Sequence, residues 1–446
     1  MKKYSLLIAL FLVGCGGGGG SNPAPPITVS PTVQPTAIVP ACTDPHKSDY
    51  PQAYNGWRPI PKPTQQLPNS YQRGISFKDY YPGWVYDNAK GSIKNCTKDE
   101  YVKLMYTQSL DLMKANGVTM TWLYNFGAWN STGTTWVVDK ANYHIPEPIV
   151  EFIVAEAKKR NIDVYYAWQF TTYDTANNTL VNLGEQVSTE KLNKILDAHQ
   201  KQVIEMARFA QRIGIKGIAA DWNAMNLGNL RDPTINEVYI NRFSTIIDDI
   251  RKNYSGQITW GQIGHIENDP RILDKIDAVH LSLGGSILSE VENINLSPEI
   301  VKIAIEKQIY GMNQAYNCIS PHNCKHVNNR KVPVFFEISV QSRDKYFTHG
   351  WVEDGFCVEG TTPAGTKTAC IQDTYVTDFA VQAIGIEGIL KAIISQQDFT
   401  VKGVNFHTAY WHSNTLAPGY EGFPNLSQSI RGKPAEKIVK YWFTGT

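Results

Sequence analysis

Val334-Phe-Phe-Glu-Ile-Ser339 changes character at every second residue. Side chains of a β-strand point alternately to opposite faces. Val334, Phe336 and Ile338 therefore belong against one apolar layer, and Phe335, Glu337 and Ser339 share the other face. The same two-sided pattern recurs along the chain. In Gly217-Ile-Ala-Ala-Asp-Trp-Asn223 the outer parity goes to Ile218, Ala220 and Trp222, and the inner one to Ala219, Asp221 and Asn223. In Val404-Asn-Phe-His-Thr-Ala-Tyr-Trp411, Val404 and Phe406 face outward while Asn405, His407 and Trp411 face inward. His280 and Ser282 alternate with Val279, Leu281 and Leu283 in the same way.

Helix signals fill the gaps between these strands. Thr97-Lys-Asp-Glu100 is a capping box that opens a helix to about Asn116, with Gly117 as its stop. Pro146 to Arg160 is helical, ended by Asn161. After Ser188, the residues Leu192, Ile195, Leu196, His199, Val203, Met206, Ala207, Ala210 and Ile213 recur at steps of three and four, which is one apolar helix face closed by Gly214. Further helices are expected over Ile235–Asn253, Asp269–Ile276, from Ser297, over Asp373–Gln396 and over Lys433–Trp442. Strands are expected at Arg73–Phe77, Thr119–Phe126, Ile162–Phe170, Gly217–Asn223, Gln257–Gly264, Ala278–Gly285, Val332–Gln341 and Val401–Trp411. About eight strand–helix units over roughly 370 residues fit one α/β domain, a (β/α)8 TIM barrel spanning 71–446. A doubly wound open sheet is the rival, but no glycine-rich phosphate turn follows the first strand.

In such a barrel the active site lies at the C-terminal ends of the strands. The parity above brings Asp221 from strand four and Glu337 from strand seven to that mouth, among Asn, His, Gln and aromatic side chains. A buried carboxylate is costly unless paired or hydrogen-bonded, and two converging need a chemical reason. Acetal hydrolysis gives one: one acid protonates the leaving oxygen, and the other attacks carbon or activates water.

Two segments carry a resemblance. Gly74-Ile-Ser-Phe-Lys-Asp-Tyr-Tyr-Pro-Gly-Trp84 resembles the opening strand of β-mannanase-type barrels of the large retaining glycoside hydrolase clan, and Pro333-Val-Phe-Phe-Glu-Ile-Ser-Val-Gln-Ser342 resembles their seventh strand. The resemblance implies that Glu337 is the nucleophile and that Asp221 occupies the acid/base strand. That clan carries Glu, usually preceded by Asn, on strand four; here Ala220 precedes Asp221 and Asn223 follows two places on. Candidate substrate contacts are Asn223, Gln169, Asn125 and His407, with Tyr80, Tyr81, Trp84, Trp168 and Trp411 as sugar platforms, and His412 beside them. Asp174, Asp344, Glu353 and Asp354 are read as solvated loop charges.

The N-terminus sets the compartment. Lys2 and Lys3 precede the short apolar run Tyr4–Val13, which is shorter than the roughly 20 residues of a membrane-spanning helix and reads as the core of an export signal. Leu12-Val13-Gly14-Cys15 resembles the lipobox of bacterial lipoproteins, which implies acylation of Cys15; Gly16 after it, rather than Asp, favours the outer membrane of a Gram-negative cell. Residues 1–14 are then the signal, 15–40 an uncharged Gly/Pro/Thr tether and 41–70 an N-terminal extension.

Seven cysteines less Cys15 leave six, expected as disulfides in an exported chain, with Cys318–Cys324, Cys357–Cys370 and Cys42–Cys96 as the favoured pairs. Zinc on Cys318, His322, Cys324 and His326 is the alternative for one loop, although the spacing matches no standard zinc knuckle. No metal or cofactor is expected: there is no His-Glu-Xaa-Xaa-His, no Gly-Xaa-Ser-Xaa-Gly and no nucleotide, PLP or haem signature. A net charge of +1 offers no field for nucleic acid. The expected partners are a poly- or oligosaccharide and, through the lipid, a membrane. Two competing readings remain: a carbohydrate-binding lipoprotein on a degenerate barrel, without turnover, and an enzyme in which Asp221 rather than Glu337 is the nucleophile.

Overall fold

Thr97 starts the first long helix in the way its sequence requires. Its hydroxyl accepts from the Glu100 amide at 3.3 Å, and the Glu100 carboxylate takes the Thr97 amide at 2.7 Å. That reciprocal pair satisfies two donors a helix start otherwise leaves open. Ser188 caps the longest helix, and Gly214 ends it at φ +78°, a left-handed conformation that costs glycine little. Asp378 caps a third, accepting from the amides of Ala380 and Val381 at 3.0 and 3.2 Å. This cap starts that helix at Phe379 rather than at the expected Asp373.

The computed structural model describes residues 42, 58–77, 95–129, 136–137, 145–174, 179–181, 186–221, 229–230, 232–261, 269–316, 332–350, 376–410 and 426–446. Residues 41–446 form one compact unit. The strands are β1 (Gln72–Phe77), β2 (Met120–Trp129), β3 (Trp136–Val137), β4 (Asp163–Asp174), β5 (Thr179–Val181), β6 (Gly217–Asp221), β7 (Gln257–Gly261), β8 (Ala278–Leu283), β9 (Val334–Ile338) and β10 (Val401–Tyr410). The helices are α1 (Lys98–Ala115), α2 (Glu147–Lys159), α3 (Thr189–Ile213), α4 (Pro233–Asn253), α5 (Pro270–Leu273), α6 (Glu290–Ile294), α7 (Pro298–Tyr316), α8 (Tyr346–His349), α9 (Phe379–Ser395) and α10 (Pro434–Thr444).

The sheet runs β3-β2-β1-β10-β9-β8-β7-β6-β4-β5, and a further parallel pairing of β2 with β4 closes it. Eight parallel strands (β1, β2, β4 and β6 to β10) thus form the expected (β/α)8 barrel. The short β3 and β5 pair antiparallel with the C-terminal ends of β2 and β4. They account for β2 and β4 running several residues past their expected ends.

Two apolar layers follow from the strand alternation. Ile218, Ala220, Val279, Leu281, Leu283, Val334, Phe336, Ile338, Val404 and Phe406 belong to the core between barrel and helices. Met120, Trp122, Tyr124, Tyr165, Ala167, Ala219, Ala278 and Phe335 fill the barrel interior. Small residues on β4, β6 and β8 leave room for the large rings of β2, β4 and β9, so the barrel is packed rather than hollow. Cys42 and Cys96 form the expected disulfide, with Cα atoms 5.0 Å apart. Arg58 fastens the segment before β1 to the α9 cap, its guanidinium 2.6 Å from the Asp378 carboxylate. Cys15, Cys318, Cys324, Cys357 and Cys370 lie outside the described residues. No described helix is long and apolar enough to cross a membrane.

Candidate active site

The alternation of β9 turns Glu337 into the barrel, where register sets it beside Ser282 of β8 and Asn405 of β10. The carboxyl group is 4 % exposed. Two nitrogens meet it, one on each oxygen. His280 Nδ1 stands 2.6 Å from Oε1, and Asn405 Nδ2 donates to Oε2 at 2.6 Å. Short bonds of this kind to a charged acceptor are the strong ones, and they offset the cost of burying the group.

Each donor is held in turn. The His280 ring, 2 % exposed, stacks on Phe335 at 5.2 Å and meets the edge of Trp122 at 4.7 Å. This packing leaves the Nδ1 edge turned to Glu337. Asn405 reaches Ser76 Oγ and the Tyr124 hydroxyl at 3.4 Å each. Gly74 of β1 makes this approach possible. A Cβ there would fall 2.8 Å from Asn405 Oδ1 and 2.9 Å from the Val404 carbonyl.

His407, two residues further along β10, bonds the Tyr124 hydroxyl through Nδ1 at 3.0 Å and lies 4.0 Å from Glu337 Oε2. It is 32 % exposed. The part-exposed His407 thus stands on the Oε2 side of Glu337, and the buried His280 ring on the Oε1 side. The result is a carboxyl group on the barrel interior, fixed by an imidazole from β8 and an amide from β10, with the hydrogen-bonded Tyr124–His407 pair beside it.

Strand four departs from the expected parity. Ala219 pairs with Thr259, but Asp221 pairs with Trp260, so the ladder carries a bulge at Ala220. A bulge puts two residues against one and shifts the side-chain phase beyond it. Asp221 thereby acquires the outward register of Trp260, whose ring packs edge-on against Phe243 of α4. Its Oδ2 accepts the Tyr239 hydroxyl of α4 at 2.6 Å. The expectation that Asp221 shares the inner face with Glu337 is corrected on this point. Two side groups secure the irregularity from the helix side: Tyr239, and His199 of α3, whose Nε2 bonds the Ala220 carbonyl at 3.2 Å. His199 is fully buried, and desolvation lowers its pKa from 6.5 to about 4.

Asn125 is also placed differently from its expected role. It is 1 % exposed, takes the Ile145 amide on Oδ1 at 2.8 Å, and donates Nδ2 to the Ile145 carbonyl at 3.1 Å and to the Tyr166 hydroxyl at 2.8 Å. Tyr166 belongs to the core under the helices. Asn125 therefore stitches the chain entering α2 to the sheet. Gln169 and Trp168 pair with Phe126 and Asn125 in the β2–β4 ladder, but their side chains lie outside the described residues. The same holds entirely for Asn223, Tyr80, Tyr81, Trp84, Trp411, His412, Glu353 and Asp354, and for the side chain of Asp174. Asp344 accepts the Val376 amide at 2.7 Å, a tie between two loops.

Sequence alone does not mark three members of the network around Glu337 as site residues: His280, Asn405 and Tyr124. The first two carry the inner parity that their strands already show. Tyr124 shares a face with Trp122 in Thr119–Phe126, a signal masked by the aromatic richness of that segment. Among the described residues no group of three His, Cys, Asp or Glu is gathered to hold a metal ion.

The sequence matches no family model and no curated protein. Its fold is similar to that of solved structures. A glycoside hydrolase family 113 β-1,4-mannanase aligns with a TM-score of 0.52 at 12 % identity, covering 84 % of this chain and 99 % of that one. The family 113 β-mannanase of Alicyclobacillus acidocaldarius, solved with a bound ligand, aligns with a TM-score of 0.51 at 13 % identity, over 84 % of this chain and 97 % of that one. A third such β-1,4-mannanase, solved as a complex, gives 0.51 at 11 % identity over 84 % and 98 %. At these identities the likeness is one of fold.

Proposed function

We propose that this chain is a glycoside hydrolase acting on a poly- or oligosaccharide, with Glu337 as the carboxylate that attacks the anomeric carbon or activates water there. The observation that carries the reading is Glu337 itself: a carboxylate on the inner face of the seventh barrel strand, held by one donor on each oxygen at 2.6 Å. A charge buried in a packed barrel with this much support is expensive to keep for packing alone. The C-terminal side of a (β/α)8 barrel is also where such chemistry is built. His407, part-exposed and 4.0 Å from Oε2, stands where a sugar ring would approach, with the buried Tyr124 hydroxyl behind it, and the aromatic candidates Tyr80, Tyr81, Trp84, Trp168 and Trp411 are its proposed platforms, with Asn223 and Gln169 as hydroxyl contacts.

Acetal cleavage also needs a proton on the leaving oxygen. Residues 222–228 carry no acid, so Asp221 is what strand four offers. It can serve only when its carboxyl leaves the Tyr239 hydroxyl and turns inward. The outward bond of Asp221 at 2.6 Å favours a second reading, a sugar-binding barrel that does not cleave.

One experiment separates the two. The chain is incubated with a panel of polysaccharides, beginning with β-1,4-mannan, the substrate named for the fold's neighbours, and with galactan, xylan and cellulose. Release of new reducing ends supports the hydrolase. Retention on a polysaccharide gel with no product after long incubation supports the binding protein. Neither binding nor cleavage on any glycan refutes both.

The proposed setting is the cell envelope. Export through residues 1–14, acylation of Cys15 and the 15–40 tether would hold the barrel at the outer membrane of a Gram-negative cell, where polymeric sugars are met. Labelling of the full chain by radioactive palmitate, lost in Cys15→Ala, tests the anchor.

A further inference from the structure

We infer that His280 is the positioning residue that aims Glu337, so that Oε2 is its reacting oxygen; this rests on the reading of Glu337 as the attacking carboxylate. Three observations converge. The two carboxylate oxygens are not equivalent: Oε1 faces the buried ring of His280 at 2.6 Å, whereas Oε2 lies 4.0 Å from the part-exposed His407. The His280 ring has little rotational freedom, with Phe335 stacked on it at an interplanar angle of 17° and Trp122 across its edge at 82°. With Glu337 as the ionised attacking group, which only accepts hydrogen bonds, the proton of this bond sits on Nδ1 and the ring acts as a fixed donor.

A long flexible Glu side chain has three torsions to order. A single amide, Asn405, could hold Oε2 and still leave the group free to swing about that point. The second donor on Oε1 removes the swing. Misplacement by about 1 Å is enough to cost roughly 10²-fold in rate, so a rigid donor one layer below the reacting group acts on turnover without touching substrate.

The test uses His280→Asn, whose amide nitrogen falls near the position of Nδ1, and His280→Phe, which keeps the ring packing but removes the donor. Both are compared with wild type and with Glu337→Gln on β-1,4-mannan or whichever panel polysaccharide gives product. The expected result is a fall in kcat of about 10- to 100-fold in His280→Phe at near-constant KM, with His280→Asn within several-fold of wild type. Equal, undiminished kcat in both variants while Glu337→Gln is inactive overturns this inference and spares the Glu337 reading. Activity in Glu337→Gln overturns the reading itself. If His280→Phe does not fold, nuclear magnetic resonance of the full chain labelled with 15N-histidine decides. The His280 Nδ1 proton should resonate far downfield in wild type and move upfield in Glu337→Gln, as a charged acceptor becomes neutral. A resonance unmoved by that change refutes the bond.

Discussion

Replacing His199 by glutamine should change how stability depends on pH, and by an amount that can be worked out beforehand. His199 is fully buried between α3 and β6, near Phe243, and its folded pKa is lowered to about 4 by desolvation, against 6.5 for the ordinary group. Lowering it means that the unfolded chain binds the proton more readily. Stability is therefore complete above the unfolded value and is lost as pH falls through the folded one. At 1.36 kcal/mol per unit, the loss from this one group reaches about 2 kcal/mol at pH 5 and about 3 kcal/mol near pH 4. In His199→Gln the new side chain keeps an amide donor close to the Nε2 position and so preserves the bond to the Ala220 carbonyl, but it does not titrate. Urea unfolding of both proteins at pH 7.5, 6, 5 and 4 measures the difference directly. Shared carboxylates cancel in the comparison. The wild type should lose about 2 to 3 kcal/mol more than the variant across that range. Parallel curves would refute the reasoning, because they would mean that His199 is hydrated or charged inside the fold.

Gly74→Ala should lower stability by about 1–3 kcal/mol through overpacking and reduce turnover as well, since the new Cβ displaces Asn405 from Glu337; chemical unfolding and kinetics on one preparation check both. Tyr239→Phe removes the donor to Asp221 Oδ2 and should cost about 1–3 kcal/mol, with unchanged stability meaning that the carboxyl points elsewhere. Lys433 is 3 % exposed, donates to Ser342 Oγ at 2.8 Å and to the Ser427 carbonyl at 3.1 Å, and burial holds its pKa well below 10.5. Its folded pKa lies below the unfolded one, so the wild type should gain stability relative to Lys433→Met as pH rises towards the ordinary lysine value, and identical slopes in the two proteins would contradict this. Reducing or deleting Cys42–Cys96, which joins residues 54 apart, should lower the free energy of unfolding by about 2–4 kcal/mol, as denaturant titration would measure.

The barrel was legible because a strand with a helix on one side and packed interior on the other must alternate between two populations of side chain. Phe335 and Glu337 against Val334, Phe336 and Ile338 show this, and β8 and β10 repeat it. Helix ends were legible where the capping side chain is local, as at Thr97 and Ser188. Strand four was not. Gly217-Ile-Ala-Ala-Asp221 carries no mark of a bulge, because the irregularity belongs to its register against Gln257–Gly261 and to partners 18 and 21 residues away, Tyr239 and His199. The ties of Asn125 were hidden for a similar reason: it bonds Ile145 and Tyr166, which no local pattern connects to it. The network on Glu337 was half visible. Parity put His280 and Asn405 on the inner face, but only the side-by-side register of β8, β9 and β10 shows that they converge on one carboxylate.

The central claim is that Glu337 carries the chemistry of the barrel mouth, and its most direct test is the turnover of Glu337→Gln. The substitution keeps the size of the side chain and leaves an amide oxygen that can still accept from His280 or Asn405, so folding and glycan binding should survive, as circular dichroism and gel retention would show. The rate of reducing-end release should fall by about three orders of magnitude or more, which is about 4 kcal/mol of transition-state stabilisation. A folded Glu337→Gln protein that cleaves the same polysaccharide at the wild-type rate would contradict the account.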